Sequence, residues 1–423
     1  MKKQIIILVI AVGELLTAQI PDTLTLEYCQ YKARENYPLS QQFELLQSAA
    51  ELKINNLTTN WYPQFKINGQ STYQSDVPTL PIQVPGIAIS DIEKDVYKVT
   101  LDISNILYDG GLTRRQKHLE NASFNVDKQN TEIELYKLRE RIDQTYFNAL
   151  LLQENENLMN VLKSEVESRL KIVESTVRNG VALQSSANVL QAELIKIEQQ
   201  LLEIVLSRQS ALDMLSEYID QPVTFATVLT VPVFNIESDK PLFLRPELKL
   251  MNLQMKKLDA SRSLLTAKVL PHLAAFGQIG YGKPGINMFS NDLNDFYIVG
   301  LQINWTPWNW HRTRNDRRWI DLQKNMVETQ KATFEQNIRI LLKKDIAEIN
   351  KYKSLILKDD EIIALRQKIT NTISAQFDNG IITATDYLVE LNAETQARLN
   401  KQLHIIQLAK AKANYQFDSG IKE

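Results

Sequence analysis

The chain of 423 residues carries 48 basic and 50 acidic side chains and a formal net charge of −2. This balance excludes the broad basic surface of a general nucleic-acid binder. The single cysteine, Cys29, excludes an internal disulfide framework and any metal cluster built from cysteines. We expect Cys29 to act as a small apolar side chain.

Residues 1–18 have the form of a secretory signal peptide. Lys2 and Lys3 precede an apolar run, and Leu16-Thr17-Ala18 offers a small-residue cleavage site. No cysteine follows this site directly, so a lipid-anchored N-terminus is not expected. No later run approaches 18 apolar residues, which predicts an exported chain that enters a membrane only as β-strands.

Residues 19–220 are predicted to form a first structural repeat. It opens with helices over residues 22–34 and 39–60, the second ended by Tyr62-Pro63. Two alternating strands follow, over residues 65–73 and 97–104, and a Pro/Gly-rich loop separates them. This order predicts a helix, two strands and then a helical hairpin.

The hairpin begins with a long segment that contains no Gly or Pro, from Leu112 to Asn179. As a helix, its residues would extend for roughly 100 Å at a rise of about 1.5 Å each. Scattered charges exclude a membrane span, and apolar residues at three- and four-residue spacing predict packing against antiparallel helices. After Asn179-Gly180 the chain is expected to return as a helix over residues 182–220.

The same plan returns 200 residues later. Tyr97 corresponds to Tyr297, Thr113-Arg114 to Thr313-Arg314, and the Asn-Gly pair at 179–180 to that at 379–380. Three landmarks in one register indicate an internal duplication. We therefore predict an irregular linker over residues 221–244 and a second repeat over residues 245–423.

Apolar and polar side chains alternate along all four predicted strands. A barrel with a lipid-facing surface and a watery lumen has this pattern, and so does a half-buried soluble sheet. The signal peptide and the long helices favour the barrel, with Thr100 and Asp102 facing the lumen. The predicted lipid-facing residues are Val99, Leu101, Ile103, Val299, Leu301 and Ile303.

Tryptophans and basic residues alternate where the fourth strand meets the second long helix. Such interleaving can serve nucleic-acid stacking. At the end of a membrane strand it is typical of an aromatic girdle at the membrane interface, which we favour because the rest of the chain is not basic. The predicted girdle residues are Trp305, Trp308 and Trp310.

No motif predicts catalysis, a metal or a cofactor. The four histidines are scattered without metal-ligand spacing, and neither a phosphate-binding loop nor a nucleophile elbow occurs. Asp109-Gly110-Gly111 is interpreted as a strand-to-helix turn that needs glycine. We therefore predict a protein that is not an enzyme.

The ordered set of motifs resembles the TolC-like outer-membrane efflux and secretion channels. The resemblance is carried by the segments at residues 33–38, 61–63 and 107–111, by the twin Asn-Gly pairs and by the duplication. It implies a mostly α protein with a membrane β-barrel: a homotrimer whose protomers each contribute four strands to a 12-stranded barrel, continued by a periplasmic α-helical barrel. It also implies docking to a periplasmic adaptor and an inner-membrane RND or ABC transporter.

The strand count supports oligomerisation independently of the resemblance. Four strands cannot close a barrel, for which about eight is the practical minimum. On this argument alone, a dimer and a trimer both satisfy the count.

The two Asn-Gly turns are predicted to dock the adaptor. Asn179-Gly180 and Asn379-Gly380 would lie at the tunnel end farthest from the barrel, and six such tips in a trimer would meet six adaptor hairpins. The family's closed tip often carries acids near this turn, which makes Asp386 a pore-gate candidate. The alternative for Asp386 is an exposed acid at a helix start, and Ser186 at its equivalent position puts a strong acidic ring in doubt.

The leading hypothesis is therefore a passive export duct in the cell outer membrane that extends into the periplasm and contacts outer-membrane lipid but no nucleic acid. A structural periplasmic coiled-coil protein or adaptor without a membrane barrel is the alternative. An exported enzyme is a third possibility, but it lacks a convergent polar site.

Overall fold

The computed structural model describes residues 23–77, 93–234, 244–287 and 290–421. The predicted signal peptide lies outside the described residues, as do most of the loop between the first two long strands and part of the predicted linker. None of the described helices has the length and hydropathy needed to cross a bilayer.

The chain consists mainly of helices, and the two long Gly/Pro-free segments are both helical. The first half contains β1 (Thr23–Leu24), α1 (Leu26–Asn36), α2 (Gln42–Thr58), β2 (Gln64–Tyr73), β3 (Asp95–Tyr108), α3 (Leu112–Arg178) and α4 (Gln184–Ile219). The second half contains β4 (Val228–Leu229), α5 (Pro246–Ala267), β5 (His272–Lys283), β6 (Asn294–Asn304), α6 (Arg312–Asp378) and α7 (Ala384–Ser419).

The helix lengths repeat as the internal duplication requires. Helices α3 and α6 each contain 67 residues, and α4 and α7 each contain 36. Both ends of α6 lie 200 residues after those of α3. The short strand β4 falls in the predicted linker.

One compact unit comprises the described parts of residues 1–40, 134–245 and 337–423. Apolar faces of α1, α3, α4 and α7 meet in its core, where Cys29 is fully buried. Burial raises the pKa of the Cys29 thiol to about 12, so the thiol stays protonated. Strand β1 pairs in parallel with β4, and two buried polar side chains hold this pair against α3. The Tyr146 hydroxyl accepts from the Thr230 N–H at 3.1 Å, and the Gln153 amide pairs with both backbone polar groups of Leu229 at 3.0 Å.

The other compact unit comprises the described parts of residues 41–133 and 246–336. It contains an antiparallel sheet in the order β2-β3-β5-β6. The strands run longer than the alternating pattern predicts: β3 continues to Tyr108 because its backbone stays paired with β5 across a register shift between Ile106 and Tyr108. Among the described residues, β2 and β6 each have one edge without a partner strand.

Candidate functional site

One face of the four-stranded sheet is apolar and exposed. Val299, Leu301 and Ile303 are 74%, 69% and 70% exposed, although all three side chains are aliphatic. Val99 is also exposed, whereas Leu101 and Ile103 are half-buried because β3 lies between two strands and β6 lies at an edge. An exposed apolar face of this kind needs a covering partner.

The opposite face is polar in the first two strands and partly aromatic in the last two. Asp102 accepts hydrogen bonds from the amides of Asn68 and Gln278, which ties three strands together. The Phe296 ring lies on Gly280, where an added Cβ would come within 2.2 Å of the ring. Thr100, in the same cross-strand row, is buried, so this face is packed as well as polar.

The two strand-to-helix junctions have similar backbone conformations but different sequences. Gly110 and Gly111 have φ values of +62° and +78°, and their equivalents in the second half, Trp310 and His311, have φ values of +51° and +65°. Glycine adopts this left-handed region freely, whereas large side chains are strained in it by roughly 1–3 kcal/mol each. The backbone of the second junction is therefore strained at Trp310 and His311.

The three predicted girdle tryptophans are exposed at this second junction. Trp308 lies edge-on to Trp310, with ring centroids 5.9 Å apart. The Trp305 indole N–H donates to the Val269 carbonyl at 3.2 Å, which fixes the junction to the residues just after α5. The structure thus brings the Trp308 and Trp310 rings together and anchors Trp305 at the same junction, and contact of these rings with a membrane stays a prediction.

Both predicted tips are compact turns closed in the same way. Gly180 and Gly380 have φ values of +74° and +71°, and nothing lies within 4 Å of an added Cβ at either position. The N–H after each glycine bonds back across the turn, Val181 to Thr176 and Ile381 to Gln376, both at 2.9 Å. This is the pattern of a glycine helix cap, and it leaves Val181 and Ile381 exposed.

The two tips share one apolar core and are joined by a polar cluster. Arg169 of α3 donates to Asp378 and to Ser374, both near the end of α6. The Tyr387 hydroxyl of α7 donates to Glu165 of α3 at 3.0 Å. We call these residues the clasp: Glu165, Arg169, Ser374, Asp378 and Tyr387.

Aromatic packing completes the clasp. Tyr387 is fully buried and stacks on Phe377 with centroids 5.2 Å apart, and the Arg169 guanidinium lies 5.4 Å from the Tyr387 ring. Burial and the Glu165 carboxylate raise the pKa of Tyr387 to about 12, so its hydroxyl remains a donor near neutral pH. The clasp fixes the second hairpin against the first with charged and aromatic contacts.

Sequence reasoning did not find the clasp and selected Asp386 instead. The structure places Asp386 in a capping box, where it accepts from the Thr383 N–H at 3.1 Å and the Thr383 hydroxyl at 2.6 Å. These hydrogen bonds lower the pKa of Asp386. Asp386 therefore has the helix-start role that was its alternative interpretation, and its role at a gate stays a prediction.

Comparisons with known proteins match this geometry. The sequence model of the family described as outer membrane efflux protein matches residues 30–219. No curated protein sequence matches the chain. Among solved structures, the outer membrane protein VceC from Vibrio cholerae is similar over 93% of this chain and 96% of its own, with a TM-score of 0.68 and 14% identity.

Two further solved structures are outer membrane channels. CmeC from Campylobacter jejuni matches over 93% of this chain and 85% of its own, with a TM-score of 0.66 and 14% identity. MtrE from Neisseria gonorrhoeae, solved in its open state, matches over 93% of this chain and 88% of its own, again with a TM-score of 0.66 and 14% identity.

Proposed function

We propose that this protein is the outer-membrane channel of an export system. The match of residues 30–219 to the outer membrane efflux family model and the fold shared with solved outer membrane channels over 93% of the chain support this proposal. The protein lies in the cell outer membrane and extends into the periplasm. It acts as a passive duct for small molecules or proteins delivered from the inner membrane.

The sheet with two open edges is the observation that carries this proposal. Among the described residues, β2 and β6 have no outer partner, yet they contain 10 and 11 residues, enough to cross a bilayer when tilted. Backbone groups left unpaired in hydrocarbon cost several kcal/mol each, so the edges must pair. Pairing β6 of one copy with β2 of the next joins copies head to tail into a closed ring.

Three copies would give a 12-stranded barrel. The exposed aliphatic face, with Val299, Leu301 and Ile303, then meets lipid, and the face that carries Asp102 meets the lumen. Three copies of the α3–α4 and α6–α7 hairpins would continue the barrel as a helical tunnel in the periplasm.

The tips are the proposed contact with the rest of the machine. Two glycine-capped turns in each protomer give six similar turns in a trimer, which suits a ring of six hairpins from a periplasmic adaptor. Exposed Val181 and Ile381 give each turn an apolar contact. An RND or ABC transporter in the inner membrane would supply the cargo and the energy.

Cell fractionation tests the proposal against the periplasmic alternative. The protein should fractionate with the outer membrane, require detergent for extraction and migrate as an oligomer that dissociates on heating. A protein released into the soluble periplasmic fraction without detergent would instead support the structural coiled-coil or adaptor function.

A further inference from the structure

A cavity of ≈ 670 Å³ lies beside the junction that carries the three tryptophans. Its wall includes Arg262 of α5, Val269 just after α5, and Arg314, Arg317 and Arg318 of α6. The volume is within the range of about 300–1,000 Å³ that is usual for pockets that bind small ligands.

Positive charge dominates the wall of this cavity. Four arginines line it against one carboxylate, Asp321, which pairs with Arg262 at 3.3 Å. Within the described ranges, Arg314, Arg317 and Arg318 have no carboxylate within ion-pair distance. The surplus charge therefore favours an anionic ligand.

Arg317 is held in place without being neutralised. Its guanidinium donates to the Thr266 hydroxyl of α5 at 3.0 Å, and its Nε is buried without a partner in the described structure. A buried donor without an acceptor is unfavourable, and an oxyanion bound in the cavity would supply the acceptor. Arginine is well suited to phosphate because its planar fork can donate two parallel hydrogen bonds.

Three tryptophans belong to the junction that contributes Pro307 and Asn309 to the cavity wall. Trp305 is anchored to the carbonyl of Val269, a residue of the cavity wall, and Trp308 and Trp310 are exposed on the same junction. Indole rings beside arginines match a ligand that has an anionic head and an apolar body. The strained backbone at Trp310 and His311, which the first half avoids with two glycines, maintains this arrangement.

We propose that this cavity binds the phosphate-bearing headgroup of an anionic phospholipid at the membrane surface. The inference rests on the proposed function, since it requires the tryptophan-bearing junction to lie at the edge of the bilayer. The arginines hold the phosphate, and the tryptophans contact the glycerol backbone and the first carbons of the acyl chains. The second half of each protomer thereby gains a lipid-binding site. The equivalent junction in the first half has Gly110 and Gly111 in place of Trp310 and His311.

Lipid titration of the full-length, detergent-purified protein, followed by native mass spectrometry, tests the proposal. The probes are phosphatidylglycerol, phosphatidylcholine with the same acyl chains, and inorganic phosphate. The test variant is Arg314→Gln with Arg318→Gln. The control variant, Arg114→Gln with Lys128→Gln, removes the same charge from exposed positions in the first half.

We expect the test variant to lose at least about tenfold in phosphatidylglycerol affinity, while the control stays within about twofold of the wild type and phosphatidylcholine binding is unaffected by either. Equal phosphatidylglycerol binding by all three proteins would overturn the proposal. Displacement of the lipid by an equal concentration of inorganic phosphate would also overturn it and assign the cavity to a soluble anion. The same spectra also report the oligomeric state. A wild-type oligomer whose lipid binding does not depend on the arginines refutes only this inference. A monomer that is stable without detergent refutes the proposed function.

Discussion

Gly180 and Gly380 are the residues on which the proposed docking at the tips most depends. Their left-handed φ values would place a β-branched side chain under backbone strain, on the order of 1–2 kcal/mol, although space is available for the added atoms. We expect Gly180→Val and Gly380→Val to reduce export and crosslinking to the adaptor. Membrane assembly should be retained, because the tips and the sheet belong to different compact units.

Asparagine is the matched control at both positions, because it tolerates left-handed backbone better than other non-glycine residues. Gly180→Asn and Gly380→Asn should retain most of the export activity that the valine variants lose. Full activity and full crosslinking in both valine variants would show that the adaptor docks elsewhere.

Asp345 is expected to make the stability of the protein depend on pH. This carboxyl is buried on α6 beside Asp418 near the end of α7, and burial and Asp418 raise its pKa to about 7. Glu348 raises the pKa further and Lys344 opposes the rise, while Arg245 lies 3.5 Å from Asp418. A carboxyl with a folded pKa above its unfolded value of 3.8 binds more protons when folded, so stability falls as pH rises between these two values.

Asp345→Asn should therefore raise Tm by several degrees more at pH 8 than at pH 5, because the amide cannot ionise. Thermal unfolding of the purified protein at the two pH values measures this difference. Glu361→Gln, an exposed acid on the same helix, should show no such difference. A Tm gain for Asp345→Asn that is the same at both pH values would refute ionisation as the cause.

At the scale of whole elements, local sequence signals determine the helices well and the contacts between them poorly. The absence of Gly and Pro from Leu112 to Asn179 predicts α3 almost to the residue. The helix begins directly after one glycine with positive φ and ends shortly before another. Strand alternation predicts β3 but not its full length, since pairing with β5 extends it through polar Asn105.

The clasp was beyond sequence reasoning because its partners are more than 200 residues apart in the chain. Arg169 and Asp378 are each ordinary helix charges until α3 and α6 pack together. The position of Asp386 near the tip suggests a role in the gate, yet its carboxylate accepts a hydrogen bond from the nearby Thr383 hydroxyl. Three-dimensional packing supplies the information that single-residue patterns lack.

Breaking the clasp should loosen the tips. Arg169→Gln combined with Tyr387→Phe removes the charged donor to α6 and the hydroxyl donor to α7. We expect a larger single-channel conductance in planar bilayers, because the second hairpin is then less firmly held against the first.

The control for the clasp lies within one hairpin. Arg366 pairs with Glu390 at 2.8 Å and joins α6 to α7 rather than α3 to α6. Arg366→Gln should leave conductance close to that of the wild type. If both variants conduct alike, contacts between the two halves do not restrain the tips.

The two faces of β6 provide a matched pair of substitutions on adjacent residues. Leu301→Arg places charge on the exposed aliphatic face, at a cost of roughly 2–4 kcal/mol if the position lies near the bilayer midplane. Gln302→Arg places it on the opposite face, where Gln302 is also exposed. Thr100 is a poorer choice for this comparison, because it is buried and an arginine there would disturb packing.

We expect Leu301→Arg to lower the yield of assembled protein in the membrane, and Gln302→Arg to assemble normally with altered ion conductance. Heat-modifiability on gels measures the assembly of both. Equal assembly of the two variants would indicate that the aliphatic face does not contact lipid.

At the scale of the whole molecule, β2 and β6 each have an edge without a partner strand among the described residues, so a membrane barrel would need several copies. The fold matches outer membrane channels over nearly the whole chain, and four strands fall short of the number that closes a barrel. In the proposed assembly of several copies, the aliphatic face contacts lipid, the edges pair and the tips dock the adaptor.

The number of copies in the detergent-extracted protein is therefore the measurement that tests the account most directly. Native mass spectrometry of the full-length protein should give a single species of three protomers, which is the number that yields 12 strands. A monomer that is stable without detergent would contradict the account, because its sheet edges and aliphatic face would then have no membrane role.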